Sequence, residues 1–173
     1  MSKMISLGHG KYAIVDDEDF DSLNQFRWYL KQRERVAYAQ RGLYPESTTT
    51  AMMHREIMNA PNEMLVDHIN HDGLDNRRVN LRLCNFGQSS RNVRRHKSKS
   101  TSRYKGVYYR STSAQARACK KRRLWAAAIC FDWNQIYIGC FHTEVEAARA
   151  YNEKAKELFG AFAYLNNILS EKA

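Results

Sequence analysis

The sequence predicts an α+β chain made of two small units, and three observations lead there. Short stretches with period-two alternation recur along the chain, KYAIVD at Lys11 to Asp16 and IYIGCF at Ile136 to Phe141 among them, as half-buried strands require. Strong helical signals are few, the clearest running from Glu144 to Phe159. Charge is also divided: residues 76 to 131 carry sixteen Lys or Arg and no acid, residues 1 to 75 eight basic and twelve acidic, and residues 132 to 173 four and six. At 173 residues, 43% apolar, with ten Tyr, seven Phe and three Trp, the chain can bury two modest cores and is not of disordered composition.

In order, a strand at Lys11 to Asp16 leads into DDEDFDSLNQF, whose acids suit a first helical turn and whose Phe20, Leu23 and Phe26 suit one apolar side. RWYLKQRERVAYAQRG reads as a hairpin with strands Arg27 to Leu30 and Val36 to Gln40, and Trp28 as core. A third strand follows at Thr48 to Met53. His54 to Met58 is helical and ends before Ala60-Pro61, since a residue preceding proline disfavours the helix. Leu65 to Ile69 and Leu81 to Cys84 are strands joined by the loop NHDGLDNRR, and a helix runs from Gly87 to Arg95. KSKSTSR, residues 97–103, is polar and small enough to be a basic linker.

Strands are then expected at Tyr104 to Tyr109, Leu124 to Phe131 and Ile136 to Phe141. The helix from Glu144 has a Thr143/Glu146 capping box, an Ala148, Tyr151, Ala155, Leu158 stripe, and a stop at Gly160. Alternation turns Trp125, Ala127, Ile129, Ile136 and Ile138 toward that helix, leaving Ala126, Ala128, Cys130, Gln135 and Tyr137 on the outer face.

The net charge of +10 points to an anionic partner. A merely solvated face would intersperse acids, and a membrane helix would need a long apolar stripe that this block lacks, so nucleic acid is preferred. Four cysteines without a CxxC pair or zinc-finger histidines argue against a structural zinc site and fit reduced thiols in a cytoplasm. No signal peptide and no membrane-length apolar run are expected.

Chemistry concentrates in Val66 to Asn92, VDHINHDGLDNRRVNLRLCNFGQSSRN. Cutting a phosphodiester takes a base to deprotonate water, a hard cation to polarise the phosphate, and positive charge around both. His68 is the candidate base, since imidazole is matched to proton abstraction near neutral pH. Asp67 is the candidate metal ligand, and Asn80 the amide that holds the loop orienting His68. A lone Asp-His dipeptide is ordinarily surface decoration. Its weight comes from the blocks around it. His54 reads as a structural residue, and His9 and His142 receive no chemistry.

His54-Arg55, Val66 to Arg82 and Gln88 to Asn92 together resemble the HNH endonuclease family, in its phage and mobile-element branch. The resemblance implies a ββα-metal unit with a β-rich N-terminal extension. It places the family's catalytic His on His68, its metal-binding acid on Asp67, and its middle Asn on Asn80. Two departures stand out: Ser89 replaces the usual Asn or His ligand, with Asn92 or His96, on the same face of the expected helix, as substitutes, and His71 stands where the family has Gly. The implied cofactor is Mg²⁺ or Mn²⁺, one per active site. YKGV, WAAAI, IYIGCF and TEVEAARAYNEKAKELFGAFAYLN resemble the Apetala-two/ethylene-response-factor DNA-binding domain. The plant domains place the outer sheet face in the major groove with several arginines, whereas here Tyr108, Cys130 and Gln135 replace arginines, so base preference does not carry over.

The expected organisation is therefore an HNH unit over 1–96 with its catalytic core at about 54–96, a linker at 97–103, and a three-stranded antiparallel sheet on one helix over 104–169. The expected partner is double-stranded DNA and not a membrane. Arg77, Arg78, Arg91, Arg94 and Arg95 are the basic candidates of the first part, and Lys97, Lys99 and Arg103 those of the linker. In the second unit they are Lys105, Tyr108, Arg110, Gln135 and Tyr137, with Lys120, Lys121, Arg122 and Arg123 as a phosphate-contacting loop. The expected setting is a homing-type, phage- or mobile-element-encoded nuclease in a bacterial cytoplasm, with monomer or homodimer and nick or double-strand break left open. The alternative is a non-catalytic DNA-binding regulator with a degenerate HNH site.

Overall fold

The computed structural model of the chain describes residues 1–33, 36–43, 49–94, 101–110 and 124–168. It divides into two compact units, Met1–Ser89 and Ser90–Ala173. The architecture is mixed, with four small antiparallel sheets and few helices among the described residues.

In the first unit β1 (Ser2–Gly8) and β2 (Lys11–Asp16) form a hairpin that turns through Gly8, His9 and Gly10, all at positive φ. β1 is an element the sequence pattern did not signal, because its inward set is only Ile5 and Leu7. Ala13 and Val15 of β2 join them in the core. α1 (Asp17–Leu23) opens with Asp17, Glu18 and Asp19, acids that suit the positive end of the helix dipole. It buries Leu23, while Phe26 lies beyond its end, 44% exposed beneath the Arg41 guanidinium.

β3 (Tyr29–Gln32), β4 (Ala37–Gly42) and β5 (Thr50–Met52) make a three-stranded sheet. The hairpin begins two residues later than expected because Trp28 is drawn into the core, 2% exposed, with its indole N–H donating to the Leu23 carbonyl at 2.8 Å. α2 (Met53–Ile57) follows β5 directly and buries Met53, His54 and Ile57.

β6 (Leu65–His68) and β7 (Leu81–Cys84) pair from Leu65↔Cys84 to His68↔Leu81. α3 (Phe86–Arg91) follows, starting one residue earlier and stopping four residues sooner than the expected Gly87 to Arg95. Its start is set by a reciprocal cap: Gln88 N donates to Asn85 Oδ1 at 2.8 Å and Asn85 N to Gln88 Oε1 at 2.9 Å.

In the second unit β8 (Val107–Tyr109), β9 (Trp125–Phe131) and β10 (Asn134–Phe141) lie in the order β10-β9-β8, and α4 (Glu144–Phe159) packs on them. The cap is present: Glu146 N donates to Thr143 Oγ1 at 3.1 Å and His142 N to Glu146 Oε2 at 3.2 Å. Ala127, Ile129, Ala147, Ala148, Tyr151 and Ala155 are buried between sheet and helix, with Trp125, Ile136 and Ile138 against them. Gly106, at φ +73, is required where it stands, because a Cβ there would meet the Tyr151 ring and the Ala128 carbonyl. A bulge between Tyr137 and Gly139 shifts the register of β10. It puts Cys140 beside Tyr137, whose hydroxyl lies 2.9 Å from Cys140 Sγ.

Candidate active site

The β6-β7 hairpin carries the candidate residues Asp67 and His68. Register places Asp67 opposite Arg82 and His68 opposite Leu81. Arg82 donates to Asp67 Oδ2 through Nε at 2.9 Å and Nη2 at 2.5 Å, and the two side chains are 14% and 13% exposed. The carboxylate assigned to the metal is therefore also the counter-ion of a largely buried arginine.

His68 ends β6 and is 6% exposed. Its Nε2 lies 3.3 Å from Asn76 Oδ1, and its ring meets His54 edge-on at 5.1 Å and Tyr38 at 5.8 Å between centroids. Burial lowers its pKa below the ordinary value, and the Asn76 bond and the Asp67, Asp72 and Asp75 charges only partly oppose this. His68 is thus neutral at neutral pH, the state a proton acceptor needs. His54 is buried too, its pKa pushed down to about 3 by burial first and by the neighbouring His68, Arg55 and Arg33 after it. Its Nδ1 is fully buried with no hydrogen-bond partner among the described residues.

The loop between the strands is held by Asn80, which is 6% exposed. Its Oδ1 accepts from Asn70 N at 2.9 Å, its Nδ2 donates to the Asp75 carbonyl at 2.7 Å, and its own carbonyl accepts from Ile69 N at 2.9 Å. The loop is also docked on β2: Ile14 N donates to Leu74 O at 2.8 Å and Asn76 N to Ile14 O at 2.7 Å. Gly73 lies so close to β4 that a Cβ would sit 2.3 Å from Ala37 O and 2.7 Å from the Tyr38 ring. His71 has φ +64, a left-handed conformation in which glycine is the unstrained residue, which gives the reason a glycine suits that position.

Ser89 lies on α3 near the Cys84 thiol, whose pKa burial pushes up and whose Sγ donates to the Leu65 carbonyl at 3.7 Å. Asn92 falls past the end of α3 and in the second unit, 5% exposed, so it does not continue a helical face from Ser89. His96 lies outside the described residues. Among the described residues no three His, Cys, Asp or Glu side chains converge as a cation site. Asp67 and Ser89 carry hard oxygen donors of the kind that suits Mg²⁺ or Mn²⁺, with the Asp67 carboxylate already paired to Arg82.

The basic candidates separate by their contacts. Arg77 is clamped by Asp75 through two bonds of 2.7 Å, and Arg78 reaches Asp19 at 2.6 and 2.9 Å, so both guanidiniums are engaged by carboxylates. Lys105 donates to the carbonyls of Arg91 and Val93, and burial lowers its pKa to about 8. Arg91 lies over the Phe131 and Phe159 rings, and Arg103 pairs with Glu144 at 3.7 Å. Arg94 and Gln135 are exposed, and Tyr108 and Tyr137 are 37% and 54% exposed. Arg110 Nη1 lies 3.3 Å from Cys140 Sγ. Arg95, Lys97, Lys99, Lys120, Lys121, Arg122 and Arg123 lie outside the described residues. The sequence reading missed Tyr38, Asn76 and Arg82. Asn76 and Arg82 carried a signal, being polar residues inside the catalytic stretch, whereas Tyr38 is brought in from β4.

No helix among the described residues is long and apolar enough to cross a membrane. No protein-family model matches the chain, and no solved structure matches it. It is 29% identical over 175 aligned positions, covering 95% of this chain and 80% of the relative, to a protein of Acanthamoeba polyphaga mimivirus named an uncharacterized HNH endonuclease. That likeness, spanning both units, supports a nuclease.

Proposed function

We propose that this chain is a metal-dependent HNH endonuclease that hydrolyses phosphodiester bonds in double-stranded DNA, of the homing type encoded by phages and mobile elements. The observation that carries the reading is the buried, neutral His68 at the end of β6, held by Asn76 beside a loop that Asn80 ties at both ends. In this reading β6, β7 and α3 are the ββα unit. His68 accepts the proton of the attacking water, Asn76 fixes its ring, and Asn80 keeps the loop closed behind it. Asp67 and Ser89 would hold Mg²⁺ or Mn²⁺, which when bound supplies charge to the phosphate and leaving oxygen. Arg82 keeps the Asp67 carboxylate oriented. The second unit, read as an Apetala-two/ethylene-response-factor type domain, brings the exposed sheet residues Tyr108, Gln135 and Tyr137 and the basic segments to the duplex.

A second reading, a non-catalytic DNA-binding regulator, is favoured by one observation: the Asp67 carboxylate is already paired with Arg82. A supercoiled-plasmid assay in Mg²⁺ or Mn²⁺ separates the two. The nuclease reading expects relaxed or linear product from wild type, and from His68→Ala no product with DNA affinity nearly intact. An intact plasmid with wild type, or equal cutting by His68→Ala, would sink it.

A further inference from the structure

The hairpin between β9 and β10 turns through Asp132 and Trp133, at φ +47 and +67. A two-residue turn with both central residues left-handed suits the twist of the flanking strands, and it is ordinarily built from Asn, Asp or Gly. Asp132 fits that rule, and the Asn134 side chain supports it by donating to the Asp132 carbonyl at 3.1 Å. Trp133 does not. A bulky side chain at positive φ is a conformational outlier, and strained positions concentrate where a partner is engaged. The same indole is 103% exposed, so the largest apolar side chain type in the protein stands in water at the tip of the hairpin. Glycine would close the turn without the strain and without the exposed surface, so neither folding nor packing accounts for tryptophan.

The surroundings indicate the partner's chemistry. Residues 90 to 173 carry seventeen Lys or Arg against six Asp or Glu, which selects a polyanion. Tyr108 and Tyr137, partly exposed on the same sheet, add aromatic surface to the positive charge. Aromatic rings set among cations match nucleobases set among phosphates. We propose that Trp133 is a base-contacting tip, stacking its indole on a nucleobase of bound DNA or wedging it into an opened base step. This inference rests on the DNA-binding reading above and adds a contact that salt cannot screen.

Mixed-sequence linear duplex DNA in EDTA and low salt, with the full chain, provides the test. Trp28 is 2% exposed and Trp125 partly buried, so acrylamide quenching of tryptophan fluorescence reports chiefly on Trp133. Saturating DNA should protect that emission. Trp133→Gly should melt no lower than wild type and bind DNA about ten-fold more weakly, since one base-aromatic stack is worth a few-fold to about a hundred-fold in affinity. Trp133→Tyr should stay near wild type, whereas Trp133→Ser should follow the glycine variant. Equal binding by wild type and Trp133→Gly, or quenching that DNA leaves unchanged, overturns the inference alone. Protection by anionic vesicles or by rising protein concentration, and not by DNA, overturns it in favour of a membrane or a second copy. Failure of wild type to bind any DNA overturns this inference and the functional reading together.

Discussion

Replacing Asn80 tests how the site is held, because that one buried amide carries both an acceptor and a donor across the loop. Asn80→Asp keeps the shape and the acceptor for Asn70 N but cannot donate to the Asp75 carbonyl, which it now faces with a carboxylate oxygen. Asn80→Ala loses both bonds, leaving the buried Asp75 carbonyl without its donor and giving up the bond to the Asn70 amide, which lies near solvent. The unsatisfied carbonyl costs about 1 to 3 kcal/mol and the lost amide bond about 1 kcal/mol, so the alanine variant should lose roughly 2 to 4 kcal/mol, and the aspartate variant, with a carboxylate set against a carbonyl oxygen, no less. In a unit of this size each kcal/mol moves the melting temperature by about 4 to 8 °C, so Asn80→Ala should lower the transition of the first unit by roughly 10 to 30 °C in scanning calorimetry. Cleavage measured well below that transition should fall as well, since the loop carries Asn76 against His68. A shift under about 3 °C would refute the claim that this amide closes the loop.

His54 makes a pH prediction. Its folded pKa of about 3 lies below the ordinary 6.5, so the unfolded chain binds the proton first, and stability is present above about pH 6.5 and lost as pH falls toward 3. Between pH 7 and 5 the loss should be about 2 kcal/mol by urea denaturation, and His54→Phe should flatten it, with His68 leaving a smaller slope of the same sign. An unchanged slope in His54→Phe would place the acid sensitivity elsewhere. Ser89→Asn should tighten Mg²⁺ binding by calorimetry and raise cleavage most at low Mg²⁺, whereas Ser89→Ala should weaken both. If neither variant changes either measurement, Ser89 takes no part in holding the cation.

Much of this protein is local and therefore legible in one dimension. Lys11–Asp16, Leu81–Cys84 and Glu144–Phe159 fall where alternation, a strand-like run and a capping box placed them, because each signal is written within the element itself. Asp67, His68 and Asn80 were visible as candidates for the same reason, the spacing of a hairpin and its loop being a property of contiguous residues. What the chain order could not disclose are the contacts made between distant segments. Tyr38 and His54 reach His68 only because β4 and α2 pack beside β6, and Arg78 meets Asp19 only because the loop docks along β2. Burial, which sets the neutrality of both histidines, is a sum over all those neighbours and belongs to no single stretch of sequence. Charge was legible as a number but not as an availability, since Arg77, Arg78 and Arg82 are each engaged by a carboxylate once the chain is folded. The exposed Trp133 is the converse case: composition treats it as core material, and only the left-handed turn that carries it puts it in water.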